Sequence, residues 1–256
     1  MTGDGIVIRR VELQAEYDEC VRIQDETWGA GFSERVPGAI LKVAQYLGGV
    51  TAAAFDSPGK NGQILGFVFG MTGVRDGQLV HWSDMLAVRP MARNRGIGRR
   101  LKLYQRSLVA EIGVTQILWT YDPLVSRNAH LNLNSLGARV TDYVPDMYGA
   151  DTGSALHEGI GTDRFVVAWE VSKSGEAGQR GSAAAEPRWP AVSATEVTVE
   201  IPEDIHDLIA TAPATAREWR ASTRAAFLHY LTNGYRVTGF QRSGGSGFYR
   251  LTRGTD

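Results

Sequence analysis

The residues best suited to chemistry fall in one stretch. Asp84-Met85-Leu86-Ala87-Val88 reads as the end of a strand, and Arg93-Asn94-Arg95-Gly96-Ile97-Gly98-Arg99-Arg100-Leu101 as a basic glycine loop opening into a helix. Gly96 and Gly98 let the backbone approach a ligand closely, and successive amides from Arg93 to Arg99 can turn inward. The new helix adds unpaired N–H groups and the positive end of its dipole. Such a loop can hold a diphosphate without any catalytic side chain. Between Arg89 and Arg106 the chain carries Arg93, Arg95, Arg99, Arg100 and Lys102 and no Asp or Glu, a face turned to an anion or to water. A Walker loop would need Gly-Lys-Ser/Thr where Gly98-Arg99-Arg100 stands, and a Rossmann fingerprint would need glycine at Leu101. Neither nucleotide motif fits.

Composition narrows the classes. A net charge of -1, from 27 basic and 28 acidic groups, lacks the basic footprint of a general nucleic-acid binder, so no nucleic acid is expected as partner. The single cysteine, Cys20, leaves no disulfide scaffold or thiolate zinc site and favours a reducing, cytoplasmic compartment. His130, His157, His206 and His229 lack the spacing of a metal site, so no metal is expected. No run approaches the roughly 18 apolar residues of a membrane span, and the first ten residues do not read as a signal peptide. No membrane partner is expected.

The elements that must position the loop follow from periodicity. The pattern predicts a strand over 6–9, helices over 16–28 and 37–47, and a meander of strands over 50–56, 63–73 and 78–88. Next come a helix over 98–112 with Leu101, Tyr104, Leu108 and Ile112 on one face, and a strand over 115–121. Ser126 opens a helix that stops at Gly137, followed by a strand over 139–144, a long loop over 145–163 and a strand over 164–171. Residues 172–195 are rich in Gly, Ala, Ser and Pro with little but Trp189 to bury, and read as a linker or crossing segment. Beyond it are predicted a strand over 196–201, a short helix from Pro202, a long helix over 214–233 and strands near 236–240 and 248–251.

With loop and element order in place, the chain resembles the GNAT acyltransferase superfamily. That family's acyl-CoA loop has the form R/Q-x-x-G-x-G/A after its fourth strand, as in Arg93-Asn94-Arg95-Gly96-Ile97-Gly98, and the order of elements over residues 6–171 is the family's. The resemblance is closer to a subgroup of predicted acetyltransferases carrying Trp119-Thr120-Tyr121-Asp122-Pro123-Leu124, Ser126-Arg127-Asn128-Ala129 and Asp163-Arg164-Phe165. It implies an α/β fold with a mixed, mostly antiparallel sheet flanked by helices, and acetyl-CoA or another acyl-CoA such as succinyl-CoA as donor. It further implies that amides from Arg93 to Arg99 hold the pyrophosphate and that the strand edge at Leu86, Ala87 and Val88 binds the pantetheine arm. Asn128 would touch the cofactor, and Arg95, Arg99 or Arg100 would neutralise its adenosine phosphate.

Acyl transfer to an amine needs a deprotonated amine, a polarised carbonyl and a stabilised thiolate. Asp84 is the candidate base, directly or through water, with His81 on the same strand as second choice. The resemblance places a tyrosine acid four residues before the helix-ending glycine, but Leu133 stands there. Tyr148, Tyr121, Tyr143 or water are the substitutes, and Tyr148 is the one taken forward. Asp122 reads as a turn cap, and Asp163-Arg164 as a structural pair.

One internal match adds to this. Residues 127–141 aligned with 224–238 pair Arg, Ala, Leu, Gly, Arg, Val and Thr identically, with Tyr230 opposite Leu133. The expectation is a GNAT-like core over 1–171 and a C-terminal extension over 196–256, packed on the core or on a partner in a homodimer; the match reads either as a partial second GNAT-like half or as the likeness of any helix, glycine and strand junction. The expected activity is transfer from acyl-CoA to a small-molecule amine, an amino acid being the example the subgroup suggests. The alternative is a non-catalytic acyl-CoA-binding or regulatory module.

Overall fold

The computed structural model describes residues 5–59, 62–171 and 195–253. Of the expected linker only Thr195 is among the described residues, and Trp189 lies outside them. In chain order the elements are β1 (Val7–Arg10), α1 (Gln14–Trp28), α2 (Gly38–Tyr46), β2 (Val50–Phe55), β3 (Ile64–Arg75), β4 (Gln78–Val88), α3 (Ile97–Glu111) and β5 (Gln116–Tyr121). They continue as α4 (Ser126–Ala129), β6 (Arg139–Val144), β7 (Arg164–Glu170), β8 (Glu196–Pro202), α5 (Ile205–Thr211), α6 (Pro213–Thr232), β9 (Tyr235–Ser243) and β10 (Ser246–Arg253). One sheet has the order β1-β2-β3-β4-β5-β7-β6 and a second the order β8-β10-β9. Among the described residues no helix is long and apolar enough to cross a membrane.

Two compact units make up the chain. The described residues up to Trp119, with Glu170 and Val171, form the first; Thr120–Trp169 and those from Thr195 onward form the second.

In the first unit, the Glu16 carboxylate accepts from the amides of Glu12 and Leu13 at 2.8 and 3.2 Å, closing the start of α1. Tyr17, Cys20 and Ile23 of α1 and Leu41 of α2 pack with Phe67 and Phe69 of β3 and Met85 and Ala87 of β4. Strand alternation turns Val68 and Gly70 to the opposite face, where α3 lies. Burial pushes the Cys20 thiol up, so it is an inert core residue. The meander is as expected: β2, β3 and β4 are antiparallel neighbours. Asp76 and Gly77, both left-handed, form the two-residue turn between Arg75 and Gln78.

The buried stripe of α3 departs from the apolar face read in the sequence. It runs through Ile97, Leu101, Lys102, Gln105 and Val109, while Tyr104 and Leu108 are half-buried and Ile112 is exposed. The reason is polar. Gln105 Nε2 lies 3.0 Å from His81 Nε2, and His81 Nδ1 lies 3.0 Å from Thr72 Oγ1, which donates to the Gly48 carbonyl at 2.8 Å. A hydrogen-bonded row therefore crosses from α3 through β4 and β3, and it draws the helix in on its polar side.

In the second unit the helix expected over 126–136 begins as α4 and widens into a π turn over His130–Ser135. Strand, helix, left-handed Gly137 and hairpin β6-β7 are followed later by strand β8, helix α6, left-handed Gly234 and hairpin β9-β10. In both, the last strand occupies the middle of the order, β5-β7-β6 and β8-β10-β9. The C-terminal segment is a further three-stranded sheet with its own helices, and its strand order repeats that of β5, β7 and β6. Phe165 of β7 anchors a shared aromatic core, with ring centroids 4.7 Å from Phe227, 5.4 Å from Tyr249 and 5.5 Å from Tyr143.

The polar row leaves no room at Gly70, where a Cβ would lie 2.6 Å from the Trp82 carbonyl and closer still to the His81 ring. Gly70→Ala is expected to destabilise the protein by roughly 1–3 kcal/mol, read as a lowered urea midpoint; an unchanged midpoint would mean that β3 and β4 are not registered in this way.

Candidate active site

The site in the first unit starts from a register fault. Phe69 opposes Met85 and Gly70 opposes Ser83, so Asp84 is the extra residue of a bulge in β4. On its other edge β4 pairs with β5 in parallel through Val80, Trp82 and the His81 between them, against Gln116, Ile117 and Leu118. The paired stretch ends at Trp82 and Leu118. From Ser83 onward the β4 edge carries Leu86, Ala87 and Val88 toward the glycine loop, Ala87 buried and the other two half-buried.

Arg89 fixes the start of that loop. It is buried, donates to Glu26 through Nε and Nη2 at 2.8 Å each, to Glu19 at 2.5 Å and to the Ile64 carbonyl at 2.8 Å. Its hydrogen bonds hold the Glu26 carboxyl below the usual range. After a short turn over Pro90–Ala92, Asn94 and Gly96 are left-handed at φ 62° and 69°. Gly96 caps α3, and the first helical bond of the loop is Arg100 N–H to the Gly96 carbonyl at 3.1 Å. The amides of Ile97 and Gly98 therefore have no carbonyl in their own helix.

Two expected roles change. The Arg93 amide donates to the Pro90 carbonyl at 3.2 Å, so the cradle begins at Asn94, and the Arg93 side chain donates to the Val88 carbonyl at 3.2 Å. Arg100 donates to the Ile6 carbonyl at 2.8 Å, and the Arg95 and Arg99 side chains are exposed.

Asp84 is exposed at the bulge, with Trp82 Nε1 donating to it at 3.3 Å. Surrounding protein atoms push its carboxyl up, the Trp82 hydrogen bond works the other way, and Glu34 adds to the rise. It is thereby a better proton acceptor than an ordinary aspartate. His81, the second choice, has both ring nitrogens engaged, and burial followed by the nearby Lys102 charge pushes its pKa down to about 3. It is a structural histidine. Trp28 and Phe32 stack 5.6 Å apart beside the turn into α2.

The second unit holds the remaining candidates. Asn128 is half-buried on α4. Tyr148 shares a hydrogen bond of 3.1 Å with Thr120 Oγ1, and the Arg164 guanidinium stands 5.3 Å from its ring centroid. Tyr143 donates to Asp163, and Tyr121 accepts from the buried Tyr249 hydroxyl at 3.4 Å. Burial raises both phenols far above the usual value, so neither suits proton transfer near neutrality.

Asp163 and Arg164 are not the ion pair expected. Arg164 donates to the Asp163 carbonyl at 2.9 Å, while the Asp163 carboxylate, fully buried, takes Arg224 and Tyr143. Asp122 caps its turn as expected, accepting from Leu124 N–H at 2.9 Å, and also accepts from Arg220 at 2.6 Å. Burial pushes both carboxyls up, but the arginines outweigh it and hold both below the ordinary range. Sequence reasoning missed Arg220 and Arg224, which lie 98 and 61 residues from Asp122 and Asp163 respectively, with no local pattern to mark them. Among the described residues no group of three or more His, Cys, Asp or Glu is arranged to hold a metal.

No family model and no curated protein matches the chain. Solved structures do. A putative acetyltransferase, yncA from Salmonella typhimurium, solved with acetyl-CoA, is similar over 67% of this chain and 97% of its own at 18% identity and TM-score 0.52. Arabidopsis thaliana NAA60 in complex with a bisubstrate analogue is similar over 66% and 99% at 16% identity and TM-score 0.52. A chain of the NatC complex bound to Gag peptide and CoA is similar over 65% and 99% at 18% identity and TM-score 0.51. The protein has the GNAT N-acetyltransferase fold, with a further C-terminal sheet.

Arg220→Met takes from the buried Asp122 the nearer of its two arginines, leaving Arg164 at 3.8 Å, and is expected to cost up to about 3–5 kcal/mol in a urea titration. Because the folded pKa values of Asp122 and Asp163 are depressed, their stabilisation is complete above the unfolded value near 4 and is lost as the pH falls through the folded values. The urea midpoint should therefore fall below about pH 4, by less in Arg220→Met; an equal fall would show that this network does not govern acid stability.

Proposed function

We propose that the protein is an acyl-CoA-dependent N-acyltransferase that acts on a small-molecule amine. The observation that carries this reading is the β4 bulge at Asp84 leading along a strand edge into a left-handed glycine cradle and helix start. On this reading amides from Asn94 to Arg99 hold the pyrophosphate, with Arg95 and Arg99 on phosphate, and Leu86 to Val88 hold the pantetheine arm. Asp84 accepts the proton of the attacking amine, and transfer is direct, within a ternary complex whose orientation supplies much of the rate. Trp28 and Phe32 lie on the acceptor side.

The donor is acetyl-CoA or succinyl-CoA, and an amino acid is the first acceptor to test, with peptide N-termini as a second panel because the NatC neighbour was solved with a peptide. We place the protein in the cytoplasm, in keeping with its single, buried cysteine. A homodimer through the C-terminal segment completes the proposal. The second reading, a non-catalytic acyl-CoA-binding module, is favoured by Leu133 at the expected tyrosine and by the engagement of Tyr121 and Tyr143.

Calorimetric titration with acetyl-CoA, succinyl-CoA and free CoA, followed by thiol release with pooled amines, tests both. Binding with amine-dependent release supports the enzyme; binding without release supports the module; no binding overturns both. Gly96→Glu should abolish CoA binding, since it adds bulk and negative charge at a left-handed position in the cradle. Asp84→Asn should lower kcat by about 100-fold and remove the acidic limb of the rate profile, which in the unsubstituted protein rises with pH through the elevated Asp84 pKa.

A further inference from the structure

Lys102 of α3 is 2% exposed, and its Nζ stands 3.6 Å over the Trp119 ring. Among the described residues no carboxylate pairs with it. Burying an ammonium without a counter-ion costs several kcal/mol, whereas an apolar side chain of that length would fit at no such cost. The groups that face it are His81 from β4, Trp119 from β5 and, three residues along its own helix, Gln105, whose Oε1 is buried with no hydrogen-bond partner. Burial pulls the lysine well below its usual pKa, so its ammonium gives up a proton more readily than an exposed lysine's.

Its place in the fold is specific. The last parallel pair is Trp82 with Leu118; Trp119 is the next residue on β5, and His81 the one before Trp82 on β4. The amine stands where the two strands part. On the transferase reading, on which this inference rests, the pantetheine arm runs back along β4 from Val88 toward Ser83. Those six residues span roughly 17 Å over five rises, a distance comparable with an extended pantetheine, so the sulfur comes to the same apex.

We propose that Lys102 is the catalytic acid of the transfer, giving its proton to the departing CoA thiolate. The amine nitrogen attacks the thioester carbon and loses a proton to Asp84 or water. When the tetrahedral intermediate collapses, the C–S bond breaks, its electron pair goes to sulfur, and sulfur takes a proton from Lys102 Nζ. The dry pocket favours the neutral lysine that remains. After the thiol leaves, water returns a proton to the lysine and takes the one held by Asp84, so one amide and one thiol are the net products. Lys102 thereby supplies what Leu133 cannot.

The test compares Lys102→Met with the unsubstituted protein. Methionine suits the buried site, and acetyl-CoA affinity should change little. With acetyl-CoA kcat should fall about 100-fold, and the alkaline limb set by lysine deprotonation should vanish from the pH profile. With an acetyl thioester of an acidic aromatic thiol, which leaves without a proton, the loss should shrink to about threefold or less. Equal losses with both thioesters would overturn the proposal. A second arm needs no turnover: the thiol of bound free CoA, followed by thiolate absorbance, should ionise at lower pH in the unsubstituted protein than in Lys102→Met. Identical titrations would overturn the assignment. A shift without amine-dependent release would uphold Lys102 as the thiolate's partner and overturn the transferase reading, and absence of CoA binding would overturn both.

Discussion

One residue too many in β4 is the constraint on which the first unit depends. With Asp84 unmatched between Phe69–Met85 and Gly70–Ser83, the strand cannot keep a single register against β3. A bulge bends and twists its strand, and the bend comes where parallel pairing with β5 stops. The edge that follows is held on one side by β3 and leads directly to the loop. The same fault presents Asp84 outward, whereas uninterrupted alternation would have placed its neighbours differently on the two faces.

The fault is held in place by polar chemistry. Thr72, His81 and Gln105 form a hydrogen-bonded row beneath the bulge, and Gly70 is the residue whose missing side chain leaves room for it. Buried polar groups are tolerated only when paired, so the row admits few alternative registers. At the far end of β4, Arg89 does comparable service by tying the loop's first residue to α1 through two glutamates. Rigid anchoring at both ends preorganises the strand edge and cradle, which is what binding a long, flexible cofactor arm requires.

The second unit uses charge differently. Arg220 and Arg224 of α6 reach Asp122 and Asp163, carboxylates 98 and 61 residues before them. Around them Phe165, Phe227, Tyr249 and Tyr143 pack edge to face or tilted, the usual preference of aromatic rings. The C-terminal segment is thus joined to the β5-to-β7 half by ion pairs and by a common core. Neither half could be removed without stranding buried charge.

Much of this was legible in the sequence because its causes are local. Alternation and helical spacing fixed the elements, Asp76-Gly77 the hairpin turn, and Gly96 and Gly98 the cradle, since each depends on residues a few positions apart. The C-terminal strands and the long helix between them were legible from the same periodicity. What depends on distant partners was not. Whether Arg93 or Asn94 begins the cradle, whether His81 is a base or a strut, and which arginine meets Asp163 are decided by hydrogen bonds to residues far along the chain. The bulge at Asp84 is a mismatch between two strands and exists in neither alone. Lys102 looked like one more cation on a basic helix, and only packing against β5 buries it over Trp119, because a helix's sequence gives its period but not which neighbour will close over each face.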